Sequence, residues 1–202
     1  MKYILFALLC LSAFSTITSP LYERGAMGGD EIQIPQLIII QDDSNLYISN
    51  GVYYYNNNPF SGYILSKYEN GTPEEKSGYL NGKKEGISFE WFPNSSLRSE
   101  RFYTNGEKNG IHYGWYENGS IRFQYSFKNG INEGISTEWY RDGMISRQTV
   151  YSCGNEVSAK AWGVNGKLYI NYEVRNGVIF GLNNSVPCYS IKNGKGEYVS
   201  AK

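Results

Sequence analysis

The sequence predicts an all-β protein, a single-layer antiparallel meander of 24-residue β-hairpin repeats with an elongated form. The first observation is composition, because 23 Gly and 19 Tyr among 202 residues are typical of short strands joined by tight turns. The second is the recurrence of Asn-Gly after aromatic residues, as in GWYENGSIRFQYSFKNGINEG at 114–134. The third is that the stretches between turns, about seven residues each, suit a strand and not a helix.

The amino terminus has the layout of a secretory signal. Lys2 precedes an apolar run that ends at Phe14, and small polar residues follow. This run is too short to cross a membrane comfortably, and Ala13 and Ser15 form a plausible small-x-small cleavage pair. We therefore predict a signal peptide at 1–19 and an exported protein that is periplasmic, held in the cell envelope or secreted. Lipidation of Cys10 is the less favoured alternative, because Leu9 stands where a small residue is expected.

Residues 20–45 are predicted to be a mobile and partly strand-forming lead-in. Its first half is rich in Gly, and the later segment IQIPQLIII, residues 32–40, predicts one or two strands. The short string GGDEI at 28–32 superficially resembles the signature of diguanylate cyclases. That signature belongs inside a full α/β domain, so we give it no functional weight here.

The repeat itself is predicted to span 46–181. Units of 24 residues open at Gly62, Gly86, Gly110 and Gly134. A fifth unit is one residue short, and a truncated sixth with the tail occupies 182–202. A fixed period of this kind indicates stacked copies of one structural unit, here one hairpin. The positions that recur in the first strand and its end are Lys67, Trp91, Trp115, Trp139 and Tyr68, Phe92, Tyr116, Tyr140.

Strand alternation predicts which residues share a face. In the first strands, Ile87, Ile111 and Ile135 lie on the same side as Trp91, Trp115 and Trp139, and we predict that this is the packing side. The opposite side, with Ser88, Glu90, His112, Ser136 and Glu138, is expected to be solvated. In the second strands, Leu97, Ile121 and Ile145 have the same parity as Tyr103, Phe127 and Tyr151, and all six are assigned to the Trp side.

The repeat resembles a known family. The pattern G-x-x-x-x-W-Y-x-N-G followed by Y-x-N-G-x-x-x-G is similar to the MORN repeat, in the bacterial variant often described as the antitoxin component of a toxin-antitoxin module. The lead-in NGVYYYNNNPFSGYILSKYENG, residues 50–71, resembles the opening of such proteins. The resemblance implies the fold and a possible toxin as partner. The chain departs from the pattern at Ser95, Cys153 and Gly163.

The residues argue against an enzyme. The only His, His112, is expected on a solvated strand face, and no His or Cys cluster has the spacing of metal ligands. No Ser-His-Asp order or phosphate-binding Gly-rich loop stands out. We therefore expect no catalysis, no metal and no cofactor. Removing 1–19 takes away Lys2 alone and leaves 18 basic against 19 acidic residues, a net charge of about −1 that does not suit nucleic acid or anionic lipid.

Two cysteines remain after signal removal, Cys153 and Cys188. An exported pair favours a disulfide, but in the repeat layout the two residues fall at opposite margins of the sheet, roughly 23 Å apart at 3.3 Å per residue. A disulfide needs Cα atoms within about 7 Å. The pairing therefore stays open, and depends on how the tail folds.

The predicted function is an exported, non-catalytic scaffold that binds another protein, by resemblance an antitoxin or immunity-type component. The candidate binding surface is the aromatic strip Tyr68, Phe92, Tyr116 and Tyr140, because clustered aromatic residues anchor many interfaces. The alternative role of these rings is to shield the turns at the sheet margin. The alternative function is a cell-envelope module that binds glycan or a membrane surface. Predicted structural positions are Trp91, Trp115, Trp139, Gly86, Gly110 and Gly134.

Overall fold

The computed structural model describes residues 33–183 and three further short strands, at 186–187, 191–192 and 198–199. Residues 1–32, which hold the predicted signal peptide and the first part of the lead-in, lie outside the described residues. The described part of the chain is all-β: it contains no helix, and hence none long and apolar enough to cross a membrane. The predicted fold class is confirmed.

The largest sheet is a long meander in which most strands pair with their neighbours in sequence. Its strand order is β1-β5-β6-β7-β8-β10-β11-β13-β14-β15-β16-β17-β18, with β9 and β12 as short extensions that pair with β8 and β11. All pairs along this path are antiparallel except β1 with β5, which is parallel. The strands are β1 Ile38–Ile40, β2 Leu46–Ser49, β3 Val52–Tyr55, β4 Asn58–Pro59, β5 Gly62–Lys67, β6 Pro73–Leu80, β7 Lys83–Trp91, β8 Leu97–Thr104, β9 Glu107–Lys108, β10 Gly110–Trp115, β11 Ile121–Lys128, β12 Ile131–Asn132, β13 Gly134–Trp139, β14 Ile145–Ser152, β15 Asn155–Trp162, β16 Leu168–Arg175, β17 Val178–Asn183, β18 Val186–Pro187, β19 Ile191–Lys192 and β20 Tyr198–Val199.

The turn that ends each unit is the predicted Asn-Gly turn with two positive φ angles. Asn129 has φ 49° and Gly130 has φ 82°, and Asn81-Gly82 and Asn105-Gly106 repeat these values. Two consecutive left-handed residues define a type I′ turn, whose twist matches that of the flanking strands. Cys153, which replaces Asn in the fourth unit, keeps the same conformation with φ 50°.

The turn inside each unit has a different form. In this turn of the third unit, residues 116–120, only Gly119 has a positive φ, of 83°, and its N–H donates to the Tyr116 carbonyl at 2.8 Å. The Asn118 side chain accepts hydrogen bonds from the backbone N–H and the hydroxyl of Ser120. Next to this turn the register shifts between Gly114 and Trp115, which marks a β-bulge. The same shift recurs beside Trp91, Trp139 and Trp162.

A separate three-stranded sheet, β2-β3-β4, packs against the first unit. Leu46, Tyr53 and Tyr55 from this sheet cover a buried cluster of Ile39, Phe60, Ile64 and Tyr79. The segment also supplies backbone partners to the first type I′ turn, because the Gly82 N–H donates to the Phe60 carbonyl and the Tyr53 N–H to the Gly82 carbonyl. It therefore closes the end of the repeat in the place of a preceding hairpin.

The two faces of the repeat differ from the prediction. We name them the Trp face, which carries Trp91, Trp115 and Trp139, and the Ser face, which carries Ser88, His112 and Ser136. The Ser face was expected to be solvated, yet these last three residues are buried, whereas Ile111 and Ile135 on the Trp face are 45% and 51% exposed. His112 lies between the rings of Tyr103 and Phe127, whereas Ile111 and Ile135 keep about half of their surface in solvent.

The second strands are split between the faces. Leu97, Ile121 and Ile145 pair with Trp91, Trp115 and Trp139, as predicted. Tyr103, Phe127 and Tyr151 pair instead with Gly86, Gly110 and Gly134 and lie on the Ser face, so their assignment to the Trp side was wrong. The β-bulge is the cause, because one extra residue such as Arg98 reverses the alternation that follows it.

Candidate binding surfaces

The aromatic strip lies at the turns inside the units, one residue past the end of each first strand. The hydroxyl groups of its three tyrosines donate to the carbonyl of the following unit's Trp: Tyr68 to Trp91 at 2.7 Å, Tyr116 to Trp139 at 2.8 Å and Tyr140 to Trp162 at 2.8 Å. Phe92 occupies the equivalent position without a hydroxyl. The hydrogen bonds join consecutive hairpins at the sheet margin, which favours the shielding role for these rings.

Arginine side chains flank the strip. The Arg122 and Arg141 guanidinium groups lie 5.9 and 5.5 Å from the centre of the Tyr116 ring, and Arg98 lies 5.7 Å from the Phe92 ring. These distances are typical of cation–π contacts. Part of the ring face of Tyr116 and of Phe92 is therefore already covered by the chain itself.

The glycines and tryptophans predicted as structural positions have distinct places. Gly86, Gly110 and Gly134 have φ values of 69°, 65° and 84°, a region that L side chains rarely adopt. Each marks the point where a unit begins. Trp91, Trp115 and Trp139 are half-buried at the ends of β7, β10 and β13, and none belongs to a buried cluster among the described residues.

His112 does not lie on a solvated surface as expected, because it is only 2% exposed. Its Nε2 is 2.8 Å from the Phe102 carbonyl oxygen, and its ring contacts those of Tyr103 and Phe127. Burial lowers the pKa of His112, and the nearby Lys108 and Arg101 cations lower it further. The neutral imidazole is therefore a packed part of the Ser face.

The Trp face carries two apolar rows. One row, beside the turns inside the units, pairs each Trp with an aliphatic residue. The other, nearer the type I′ turns, contains Ile87, Phe102, Ile111, Ile135 and Val150, of which Phe102, Ile111 and Ile135 are exposed. Polar residues such as Gln124, Thr137 and Gln148 lie between the rows. The described residues place no second layer over this face beyond β6.

The Ser face carries paired charges and tyrosines. Arg101 donates to Glu90 at 2.8 Å and Arg147 to Glu156 at 3.0 Å, while the hydroxyls of Tyr125 and Tyr172 donate to Glu138 and Glu156. Burial and the adjacent Glu138 carboxylate raise the pKa of Tyr125 to about 12. Each charge on this stretch of the face therefore has a partner.

The first unit holds a polar cluster that includes the buried Ser77 and Ser88. Burial opposes ionisation of Glu75, but hydrogen bonds from Lys84, Ser77 and Ser88 outweigh it and hold the pKa of this carboxyl below its usual value. A cleft of about 270 Å³ opens beside Lys84, between the β2–β3 hairpin and the turn at Asn105. The Glu75 carboxylate is thus held in place within the first hairpin by Lys84 and Ser77.

Two further points concern metal ligands and the cysteines. Within 33–183, no three His, Cys, Asp or Glu side chains converge as metal ligands would. Cys153 is exposed in its turn, and Cys188 lies outside the described residues, so their pairing stays a prediction. The burial of the short residues on the Ser face, among them Ser136, Thr149 and Ala159, was missed by sequence reasoning. Each β-bulge reverses which side chains of the second strand point to which face. The sequence reasoning assumed an unbroken alternation and so placed these residues on the wrong face.

Comparison with known proteins does not assign the chain to a family. No family model matches the chain, and no curated protein is significantly similar to it. The MORN resemblance therefore stays a prediction based on the repeat pattern.

Proposed function

We propose that this protein is a non-catalytic, exported scaffold that binds another protein through the Trp face. The observation that carries the proposal is the pair of apolar rows there, with Phe102, Ile111 and Ile135 exposed on strands that nothing covers among the described residues. Soluble proteins rarely expose connected apolar side chains without a partner. The proposal moves the binding surface from the aromatic strip to this face, because the strip's tyrosines already bond to the backbone.

The size of the Trp face is adequate for a stable complex. The eight neighbouring strands from β7 to β16 span roughly 34 Å at about 4.8 Å per step, and a strand of about six residues is roughly 20 Å long. The resulting area of about 700 Å² is close to the ~800 Å² that one partner contributes to an interface of standard size. A single folded domain could therefore cover the face.

The chemistry of the face favours a protein partner with little charge. Between β8 and β15 its central row consists of Glu100, Tyr113, Gln124, Thr137, Gln148 and Lys160, and Phe89 of β7 pairs with Glu100. Only Glu100 and Lys160 of these residues are charged. Burial raises the pKa of Glu100, so neutralising this carboxylate in a contact costs less than for a fully exposed Glu. Nucleic acid and anionic lipid would need a basic field that this face lacks.

The repeat pattern and the amino-terminal sequence refine the proposal. The MORN resemblance suggests an antitoxin or immunity role, and the signal sequence suggests that the partner acts outside the cytoplasm. The two suggestions agree if the partner is a toxin of the cell envelope. The second candidate function is a cell-envelope module whose aromatic strip binds glycan or a membrane surface.

The test uses the product of the adjacent gene as the candidate partner. We expect calorimetry to give saturable binding, and the double change Ile111→Ser with Ile135→Ser to weaken it at least 100-fold. The matched control changes Glu107 and Lys128, which are exposed near the type I′ turns, to Ser and should bind normally. Light scattering on both variants checks whether the face instead joins two copies of this chain.

The same experiment separates the alternatives. A quadruple variant with Ser at Tyr68, Phe92, Tyr116 and Tyr140 should keep its partner if it remains folded. Loss of binding in this variant, with full binding by the Ile double variant, would assign recognition to the strip and overturn the proposal. Retention of the wild type on glycan or liposomes, without protein capture, would favour the envelope module.

A further inference from the structure

We propose that β1 is a self-pairing edge strand, through which two copies of this chain form a symmetric dimer. β1, Ile38–Ile40, is the first strand in the order of the large sheet, and it pairs on one side only, with β5. Among the strands that the structure describes, none pairs with its outer side. The inference concerns this edge and not the middle of the Trp face, so it does not rest on the proposed function.

β1 presents free backbone groups at its outer side. The Leu37 carbonyl accepts from the Tyr63 N–H at 2.7 Å, which fixes the residues that bond to β5. In a parallel pair, the backbone groups of every second residue point to the neighbouring strand, so those of Ile38 and Ile40 point away from β5. Of these groups, the Ile40 carbonyl accepts from the Asp43 N–H at 3.0 Å, and the others have no partner among the described residues.

The side chains at this edge are apolar. Ile39 faces the buried cluster beneath the β2-β3-β4 sheet, whereas Ile38 and Ile40 point to the opposite face and are 48% and 41% exposed. The preceding Leu37 is 49% exposed. Charged side chains are a common protection of an exposed edge against pairing, and residues 32–41 contain none. The edge is therefore open to another apolar strand.

The sequence of the strand fits a second copy of itself. The segment QLIIIQ, residues 36–41, reads almost the same in both directions. Antiparallel pairing about Ile39 places Ile38 opposite Ile40 of the second copy, and the outward N–H and C=O groups of these two residues form a hydrogen-bonded pair. The two-fold symmetry repeats this pair. A carbonyl oxygen has two lone pairs, so that of Ile40 keeps its bond to the Asp43 N–H.

The same register keeps faces and charges compatible. Residues paired across antiparallel strands project to the same face, so Ile38 and Ile40 of both copies form one apolar cluster. The Trp faces of the two copies then lie on the same side of one continuous sheet. Asp42, the first charged residue after β1, falls opposite the neutral Gln36 of the second copy, so like charges do not meet. A two-fold contact of this kind closes on itself, which favours a dimer over a filament.

The experiment is sedimentation equilibrium of the purified protein from micromolar to millimolar concentration. Because the strand is short, we expect a weak and reversible monomer–dimer equilibrium without larger species. Hydrogen exchange followed by NMR is the second measurement, and the Ile38 and Ile40 amide protons should exchange more slowly as the concentration rises. A monomer at every concentration, or a series of ever longer oligomers, would overturn the proposal. Slow exchange of these two amides in a monomer would do so as well, because it would show that the chain covers its own edge.

A pair of variants with opposite charges tests the register. Ile38→Lys with Ile40→Lys places cations opposite each other in both pairs and should weaken dimerisation at least tenfold. Ile38→Glu with Ile40→Glu should have the same effect through its carboxylates. An equimolar mixture of the two variants should dimerise again, because each Lys then meets a Glu across the contact. Restored pairing also requires that both variants are folded, which circular dichroism checks separately.

The matched control adds the same charge elsewhere. Val164→Lys with Val178→Lys changes two aliphatic residues that are 73% and 54% exposed, and this variant should dimerise like the wild type. A dimer that persists in the Ile38 and Ile40 lysine variant, or a mixture of folded variants that stays monomeric, would contradict the assignment to β1. Capture of a partner by the Trp face is measured by calorimetry through Ile111 and Ile135, so either proposal can fail alone.

Discussion

The hydroxyl of Tyr116 donates a 2.8 Å hydrogen bond to the backbone carbonyl of Trp139, in the next hairpin of the sheet. The bond joins residues that are 23 positions apart in the chain, and Tyr68 makes the same bond to Trp91. Each tyrosine therefore links its own unit to the one that follows. Because the bond is half-buried and recurs, it contributes to the coupling between hairpins on which repeat proteins depend.

A reciprocal pair of substitutions measures this bond. Tyr116→Phe removes the hydroxyl and should lower the free energy of unfolding by about 1 kcal/mol, the net value of a typical hydrogen bond. Phe92→Tyr adds a hydroxyl at the equivalent position, within reach of the Trp115 carbonyl, and should raise it by about 0.5–1 kcal/mol. Urea unfolding gives both values. No change of unfolding free energy in either variant would show that the hydroxyl does not couple the hairpins.

A second reciprocal pair concerns backbone strain at the turns inside the units. Ser95 adopts φ 65° where Gly119 in the next unit adopts φ 83°. Ser95→Gly should stabilise the protein by about 1 kcal/mol, because glycine occupies the left-handed region without a steric cost. Gly119→Ser should destabilise it by a similar amount. Thermal unfolding checks both, and a destabilised Ser95→Gly variant would contradict the explanation.

The buried His112 predicts a dependence of stability on pH. Its pKa is lower in the folded protein than the unfolded value of about 6.5, so the unfolded chain binds more protons as the pH falls. The stabilising contribution of neutral His112 is therefore present above about pH 6.5 and is lost as the pH falls below that value. The cations that act on the His112 ring are Lys108 and Arg101.

The measurement is urea unfolding between pH 7.5 and 5 for the wild type and for His112→Gln. The variant should be less stable at pH 7.5, since it loses ring contacts, but its stability should fall less steeply toward pH 5. Glu100 opposes the trend, because burial raises its pKa and its protonation favours the folded state. Parallel pH profiles for the two proteins would remove His112 as the cause.

The 24-residue unit can be tested by deletion. Removing 110–133 joins Asn109 to Gly134 and keeps strand direction and face, so we expect a soluble β-rich protein of lower stability. Removing only 12 residues, 110–121, deletes one strand and reverses the direction of all that follow. This shorter deletion should unfold the chain. Circular dichroism and urea unfolding compare them, and equal damage would mean that the unit is not one hairpin.

The sequence was sufficient for the hairpins and the type I′ turns, because Asn-Gly pairs such as Asn129-Gly130 specify them locally. It was not sufficient for the faces. At the β-bulge beside Trp91, Arg98 is an extra residue that reverses the alternation of side chains between the two faces. No particular residue type marks such a bulge in the sequence. The burial of His112 depends on Tyr103 and Phe127 from neighbouring strands, and the separate β2-β3-β4 sheet depends on contacts with Phe60 and Tyr79. These are tertiary effects that local pattern does not contain.

The sequence left two roles open for the strip, recognition and shielding of the turns. Tyr68, Tyr116 and Tyr140 were correctly recognised as a periodic set, but the acceptor of each hydroxyl is a backbone carbonyl 22 or 23 residues later. Any residue can supply a carbonyl, so the partner leaves no trace in the sequence. Periodic aromatic residues therefore predict a ladder without revealing whether it serves the fold or a ligand.

The backbone bonds at the type I′ turns have a consequence for how such a chain can change over generations. The Gly130 N–H donates to the Lys108 carbonyl, and the Gly154 N–H donates to the Asn132 carbonyl although Cys153 has replaced Asn beside it. Neither partner in these bonds is a side chain, so substitutions other than Pro at the donor position leave both bonding groups in place. Units at this margin can therefore diverge in sequence while staying attached to their neighbours, which leaves the exposed positions free to acquire new specificities one hairpin at a time.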